Sequence, residues 1–422
     1  MEEPSELDRF LTHQQGRGEL DSQGAFTLET RAALRKLARS SLPFAGAWAV
    51  KLVQAAVAAG ASRLEFSHHR AETRVEFVAQ LEVEPELAAL EAAFFDPASE
   101  PGHLLMGLWS VGLGDGRAFA LTIDGKTLLW DGRQLSRCIP RQAVKGVRLT
   151  VSHRAHDQQG FAPGLATRRK SEQTDSLRER AFTAPLQLVV DKQRLDGLAH
   201  CPSHGYTSTS HPLALTLSRA DLPPLRLSRG SLEQTPPSGA LPLELPAWPA
   251  SGETGVAWLM TAHFGRNDHG MFQTVRQRCL LYWVQDGVVT TRDDLPQPVD
   301  CVSVALFVSA QGLATDISGF GLLENLDKAD RVQAARTAVA RDLGQLPLLN
   351  LEVMVRRARR AGWTALGLFL IGGATLAMLH PSLVFVAVSM GTVFKAGHGS
   401  HETRLESELR GAQERLVRSW PG

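Results

Sequence analysis

Between residues 45 and 80 the spacing of apolar side chains changes once, from every third or fourth position to every second, and that change dictates a helix laid on a sheet. Trp48, Leu52, Val53, Ala56 and Val57 form one stripe of a helix predicted over 45–59, and Gly60 stops it as glycine stops helices. Residues 62–68 (SRLEFSH) and 73–81 (TRVEFVAQL) then alternate apolar with polar, the pattern of a half-buried hairpin. Further along, helices are predicted over 85–94 and 103–111, two strands within 118–130 turned at Asp124-Gly125, and strands over 147–153 and 186–190. A helix starting at Thr27, with Leu28, Ala32, Leu34, Leu37 and Ala38 on its apolar side, precedes them. The basic stretch 167–180 reads as loop or exposed helix. These elements make one α/β sandwich over 21–205, behind a polar, flexible arm at 1–20.

A chain of 422 residues is too long for one ordinary core and suits two domains plus an appendage. Strands predicted over 255–264, 276–284 and 301–308, then a polar helix over 327–343, describe a second, α+β domain at 206–345. Proline and serine are dense at 222–249, with Pro223-Pro224 and Pro236-Pro237, as in a plain surface connection. Charge nearly cancels, 45 Lys+Arg against 44 Asp+Glu, so no global pull toward nucleic acid exists and no nucleic-acid partner is expected. Cys138, Cys201, Cys279 and Cys301 lack paired spacing and the N-terminus is acidic, which points to a reducing cytoplasm. His200, Cys201 and His204 gather thiol and imidazole, but zinc takes four ligands and no second pair sits at a suitable spacing, so no metal is expected.

Residues 361–379 carry no charge, and after His380-Pro381-Ser382 a second uncharged run covers 383–394. As helix the first would span about 28 Å, close to a hydrocarbon core of about 30 Å. The second reaches about 18 Å, too short to cross unaided, and Pro381 breaks the helix between them. Arg356, Arg357, Arg359 and Arg360 precede the pair and Lys395 follows it, so both ends are expected on the cytoplasmic side. The expectation is a membrane-associated hairpin within 346–397, entering lipid through Trp363, Leu366, Phe369, Leu370, Leu376, Phe385 and Phe394. A buried helical pair at an oligomer interface is the other reading, since Gly367, Gly372, Gly373 and Gly391 allow close contact in either setting. The last part, 398–422, reads as a charged tail helix, solvated or facing a partner.

The stretch WAVKLVQAAVAAGASRLEF, Trp48 to Phe66, resembles the first box of the GHKL superfamily of gyrase B, heat-shock-90-type chaperones, histidine kinases and MutL proteins. The resemblance implies a GHKL-type α/β sandwich, then a ribosomal-protein-like α+β domain, ahead of the apolar hairpin. In that family the helix carries a Glu that acts as general base, an Asn four residues later that binds magnesium, and an Asp three further on. Those places hold Lys51, Ala55 and Ala58 here. Alanine supplies neither base nor metal ligand, and lysine is protonated at neutral pH unless desolvated, so ordinary turnover is expected to fail.

The family's D-x-G-x-G box is replaced after the second strand by Leu81-Glu82-Val83-Glu84-Pro85. Residues 101–116 are similar in general character to the family's glycine-bearing phosphate helix, but Gly112, Gly114 and Gly116 lie at its far end, where a tight turn into the next strand explains them without a ligand. A residual pocket at Gln54, Gly102 and His103 is implied, with no cofactor or with ATP lacking magnesium. In active relatives the second domain sends a lysine to the γ-phosphate, and no lysine lies between Lys192 and Lys328. The Thr315–Gly319 turn reads as a structural cap in which Asp316 and Ser318 satisfy backbone donors.

The expected function is a catalytically inactive, membrane-tethered pseudo-ATPase on the cytoplasmic face, a scaffold or chaperone-like binder of a protein partner, with an oligomer possible. The alternative is a GHKL protein that binds or hydrolyses ATP through a rearranged site using Glu65, Glu76 or Asp115. A third keeps the pocket for another small molecule.

Overall fold

The computed structural model describes residues 38, 42–79, 100–138, 145–156, 164–227, 253–266, 272–345 and 404–420. It is a mixed α+β structure with two large sheets and few helices. The arm at 1–20, the helix predicted over 85–94, the apolar runs with Trp363, Leu366, Phe369, Leu370, Leu376, Phe385 and Phe394, and most of 222–249 lie outside the described residues. Of the helix predicted from Thr27, Ala38 is described, helical and buried. No helix among the described residues is long and apolar enough to cross a membrane.

The first sheet has eight strands in the order β5-β4-β3-β6-β2-β1-β7-β8. They are β1 (Arg63–His68), β2 (Glu72–Phe77), β3 (Arg117–Ile123), β4 (Lys126–Trp130), β5 (Leu135–Cys138), β6 (Val147–Ala155), β7 (Gln187–Val190) and β8 (Gln193–Arg194). All neighbours are antiparallel except β1 and β7. Asp124 and Gly125 join β3 to β4 with φ of 44° and 82°, the paired left-handed turn that suits strand twist.

Helices α1 (Ala47–Ala58), α2 (Glu100–Trp109) and α3 (Leu165–Arg180) cover one face of this sheet. Every residue of α1 from Ala47 to Ala56 is buried, because neighbours close on more than its apolar stripe. Gly46 and Gly107 permit this: a side chain at Gly46 would strike Ser176 Oγ at 2.2 Å, and one at Gly107 would meet the Trp48 carbonyl at 3.2 Å. Leu64, Phe66, Val75 and Phe77 meet the helices from the strands, the alternation seen in the sequence. The predicted helix at 103–111 is instead α2 followed by a π-helical turn, Ser110–Gly114. The basic stretch near 167–180 is helical, α3, with Gln173 and Leu177 buried.

The second sheet orders β13-β12-β16-β14-β15, with β9 on the other side of β12. Its strands are β9 (Ser210–Ser218), β12 (Val256–Arg266), β13 (Phe272–Thr274), β14 (Leu280–Gln285), β15 (Val288–Asp294) and β16 (Val302–Ser309), and β10 (Leu225–Arg226) pairs separately with β11 (Glu253–Thr254). Both faces are covered. Trp258, Trp283, Val304 and Leu306 pack under α4 (Leu326–Gln345) and α5 (404–418), while Tyr282, Ala305 and Phe307 pack on Phe182, Leu198 and Cys201. Central β16 is therefore buried at every residue, and its sequence is a continuous apolar run broken by serine.

Candidate functional site at the junction of the two sheets

At Lys51, helix α1 meets the turn at 315–321 that follows β16. The side chain is wholly buried, and its Nζ lies 4.5 Å from the centre of the Phe320 ring. A side chain at Gly319 would come within 2.9 Å of that nitrogen, so glycine there keeps room for the ammonium. Phe320 leans on Phe44 with centroids 5.2 Å apart, and the Arg180 guanidinium covers Phe44 at 4.4 Å. Nζ has no hydrogen-bond acceptor among the described residues. Burial pushes the Lys51 pKa down to about 8, with the carboxylates of Asp286 and Asp316 pulling the other way.

Asp286 sits at the tip of the β14–β15 hairpin, where Asp286 and Gly287 adopt φ of 47° and 76°. The tip is pressed into the first unit. His103 Nε2 lies 3.0 Å from Asp286 Oδ2, Gln54 Nε2 donates to the Gln285 carbonyl at 3.3 Å, and Thr183 Oγ1 donates to the Gly287 carbonyl at 3.0 Å. Arg180 Nη1 donates to the carbonyls of Val289 at 3.1 Å and Thr290 at 2.6 Å. A side chain at Gly287 would strike Pro185 at 2.7 Å and Val57 at 2.9 Å. The hairpin tip thus fits because it has no side chain at that point.

The residues singled out from the sequence are partly gathered here. Gln54 and His103 meet the same hairpin turn, Lys51 feels the charge of its Asp286, and Gly102 adjoins His103 on α2. Ala55 is buried in the first core and Ala58 is exposed at the end of α1. Glu65 pairs with Arg63 at 2.9 Å, Glu76 with Arg148, and Asp115 with Arg117 and Arg169. The carboxylates that act on Lys51 come instead from two turns, Asp286 between β14 and β15 and Asp316 after β16. Lys328 is engaged on α4 by Asp293 at 3.0 Å and Glu324 at 2.5 Å.

The 315–321 turn is tied as a cap: Ser318 Oγ donates to Asp316 Oδ1 at 2.7 Å, and the Gly321 and Phe320 amides donate to Asp316 and Ser318. By fixing Phe320 it also fixes the wall over Lys51. No spacing in the sequence marks Asp286, Asp316 or Phe320 as partners of α1. The Asp-Gly pair at 286–287 signals a hairpin, but nothing local says which helix 231 residues away the hairpin reaches.

His204 of the sequence's thiol–imidazole group belongs to another arrangement. Ser210 Oγ, His263, Ser303 Oγ and His204 Nε2 form a buried chain with steps of 3.1, 2.7 and 2.9 Å. Burial pushes His204 down to about 3 and His263 to about 4, so both are neutral at pH 7. Cys201 is buried and its thiol is pushed up to about 11, which leaves it unreactive. Among the described residues no three His, Cys, Asp or Glu side chains gather to hold a metal ion.

No family model matches the chain. No curated protein matches it. Among solved structures, the chain is similar to the crystal structure of the N-terminal domain of a DNA repair protein, at 10% identity and a TM-score of 0.32, covering 74% of this chain and 98% of that one.

Proposed function

We propose that this protein is a catalytically inactive, GHKL-like pseudo-ATPase that serves as a scaffold for a protein partner. One observation carries the reading: where the GHKL resemblance calls for a general base, Lys51 stands, buried against Phe320 with the charges of Asp286 and Asp316 acting on it. A protonated amine cannot accept a proton from water, and Ala55 offers no oxygen to a metal. Further support comes from element order, since α1, the β1–β2 hairpin, α2 and the later strands follow the order the resemblance implies. In this reading the helix that binds nucleotide in relatives is used to hold the second sheet, so that two units present one rigid surface. Tethering at the cytoplasmic face through residues 361–394 belongs to the same proposal and is supported by their lack of charge.

The test is release of inorganic phosphate from ATP by the purified full-length chain, with and without magnesium, beside its Lys51→Glu variant. The scaffold reading expects no release above buffer from the natural sequence. Magnesium-dependent release by it would establish the rearranged-site ATPase in its place.

A further inference from the structure

We propose that Arg117 and Arg169 form a binding site for a small oxyanion, a carboxylate or a phosphate group, at the edge of the first core beneath α1. The site stands apart from the Lys51 contact and does not depend on the pseudo-ATPase reading. Its first residue is placed by an irregularity: the pairing of β3 with β6 shifts between Arg117 and Phe119, and a bulge of this kind re-aims a side chain. The Arg117 side chain is 0% exposed and passes under Trp48 of α1, its guanidinium carbon 5.6 Å from the indole.

The cation is poorly matched by what surrounds it. Nε donates to the Ser152 carbonyl at 2.5 Å, but Nη1 and Nη2 have no hydrogen-bond acceptor among the described residues. Asp115 Oδ2 stands 3.6 Å from Arg117 Nη1, too far for a hydrogen bond. The same oxygen is shared with Arg169 Nη1 at 3.4 Å. Arg169 Nε is also buried without an acceptor. Glu172, the other carboxylate, takes Arg168 Nε at 2.7 Å and Arg169 Nη1 at 3.5 Å. Among the described residues, three guanidinium groups therefore share two carboxylates.

A guanidinium stays charged at any working pH. Burial, then the neighbouring Arg169 charge, push the Arg117 pKa down to about 10, still far above neutrality. A buried cation short of acceptors is destabilising until an anion joins it. The two Nη groups, buried and without a hydrogen-bond acceptor among the described residues, with Asp115 ion-paired to Nη1 at 3.6 Å, form the planar fork that fits two oxygens of one carboxylate or phosphate. The side chains of Asp115 and Arg169 are 36% and 22% exposed, so the cluster opens to solvent beside them.

The test follows thermal unfolding of the full chain against increasing sodium phosphate or sodium acetate, with sodium chloride holding ionic strength constant. Binding to the folded state predicts a saturable rise in Tm of about 2 °C or more. Response to phosphate alone assigns a phosphate group, and response to both assigns oxyanions generally. Arg169→Gln, on the open side, is expected to weaken the apparent affinity about tenfold or more, and Arg117→Met to abolish the response. If Arg117→Met does not fold, Arg169→Gln decides. The site is refuted if neither anion gives a saturable rise, or if the rise survives unchanged in Arg169→Gln.

Discussion

Replacing Lys51 by methionine removes a buried ammonium while keeping the length of its stem. The pKa falls from 10.5 to about 8 in the folded protein, which at about 1.4 kcal/mol per tenfold change in proton affinity is a penalty of about 3 kcal/mol on the charged form. Against this stands the attraction of the ammonium to the Phe320 ring, about 1 to 2 kcal/mol for a desolvated pair. Lys51→Met should therefore be more stable than the natural sequence at pH 7, by about 1 to 2 kcal/mol.

The sign of the pH dependence follows from the same shift. Between about pH 8 and 10.5 the unfolded chain holds the Lys51 proton and the folded chain does not, so this group makes stability rise with pH across that window. Below pH 8 both states are protonated and the penalty is present in full. Urea unfolding at pH 7 and 9.5, read as the difference between variant and natural sequence, cancels every other titration. The advantage of Lys51→Met should shrink at the higher pH. A variant less stable at pH 7, with an unchanged difference at pH 9.5, would refute the desolvation argument.

Three other outcomes are expected. Gly287→Val forces a side chain into Pro185 and Val57 at a φ of 76°, and should cost about 2 kcal/mol or more in urea unfolding, because strain adds to overpacking. Asp286→Ala strips His103 Nε2 of its carboxylate and should cost about 1 to 3 kcal/mol, measured the same way. His204 and His263 are held neutral by burial, so the unfolded chain takes up protons first and stability should fall as pH drops from about 6.5 toward 4. Replacing His263 by glutamine should flatten that fall, seen as a smaller shift of the urea midpoint between pH 7 and 4.5.

The elements that can be read in the sequence are those whose burial is one-sided. The α1 stripe, the alternation in β1 and β2, and the Asp124-Gly125 turn all leave a local periodic trace. Helix α3 leaves a faint one, since it buries Gln173 and Leu177 and is held partly by pairs such as Arg168 with Glu172. Strand β9 is masked by Pro212, which falls where its pairing with β12 shifts register, the place a strand tolerates proline. Lys51, Gln54 and His103 stand out through their place in the GHKL-like box and helix, whereas their partners arrive from Asp286 and Phe320 through tertiary packing that no local spacing encodes.

Isothermal titration of the full-length chain with ATP, in magnesium and again in EDTA, bears most directly on the claim that Lys51 and the β14–β15 hairpin stand in place of a working nucleotide centre. The account predicts no heat that depends on magnesium. Saturable binding that appears when magnesium is added and disappears in EDTA would contradict it.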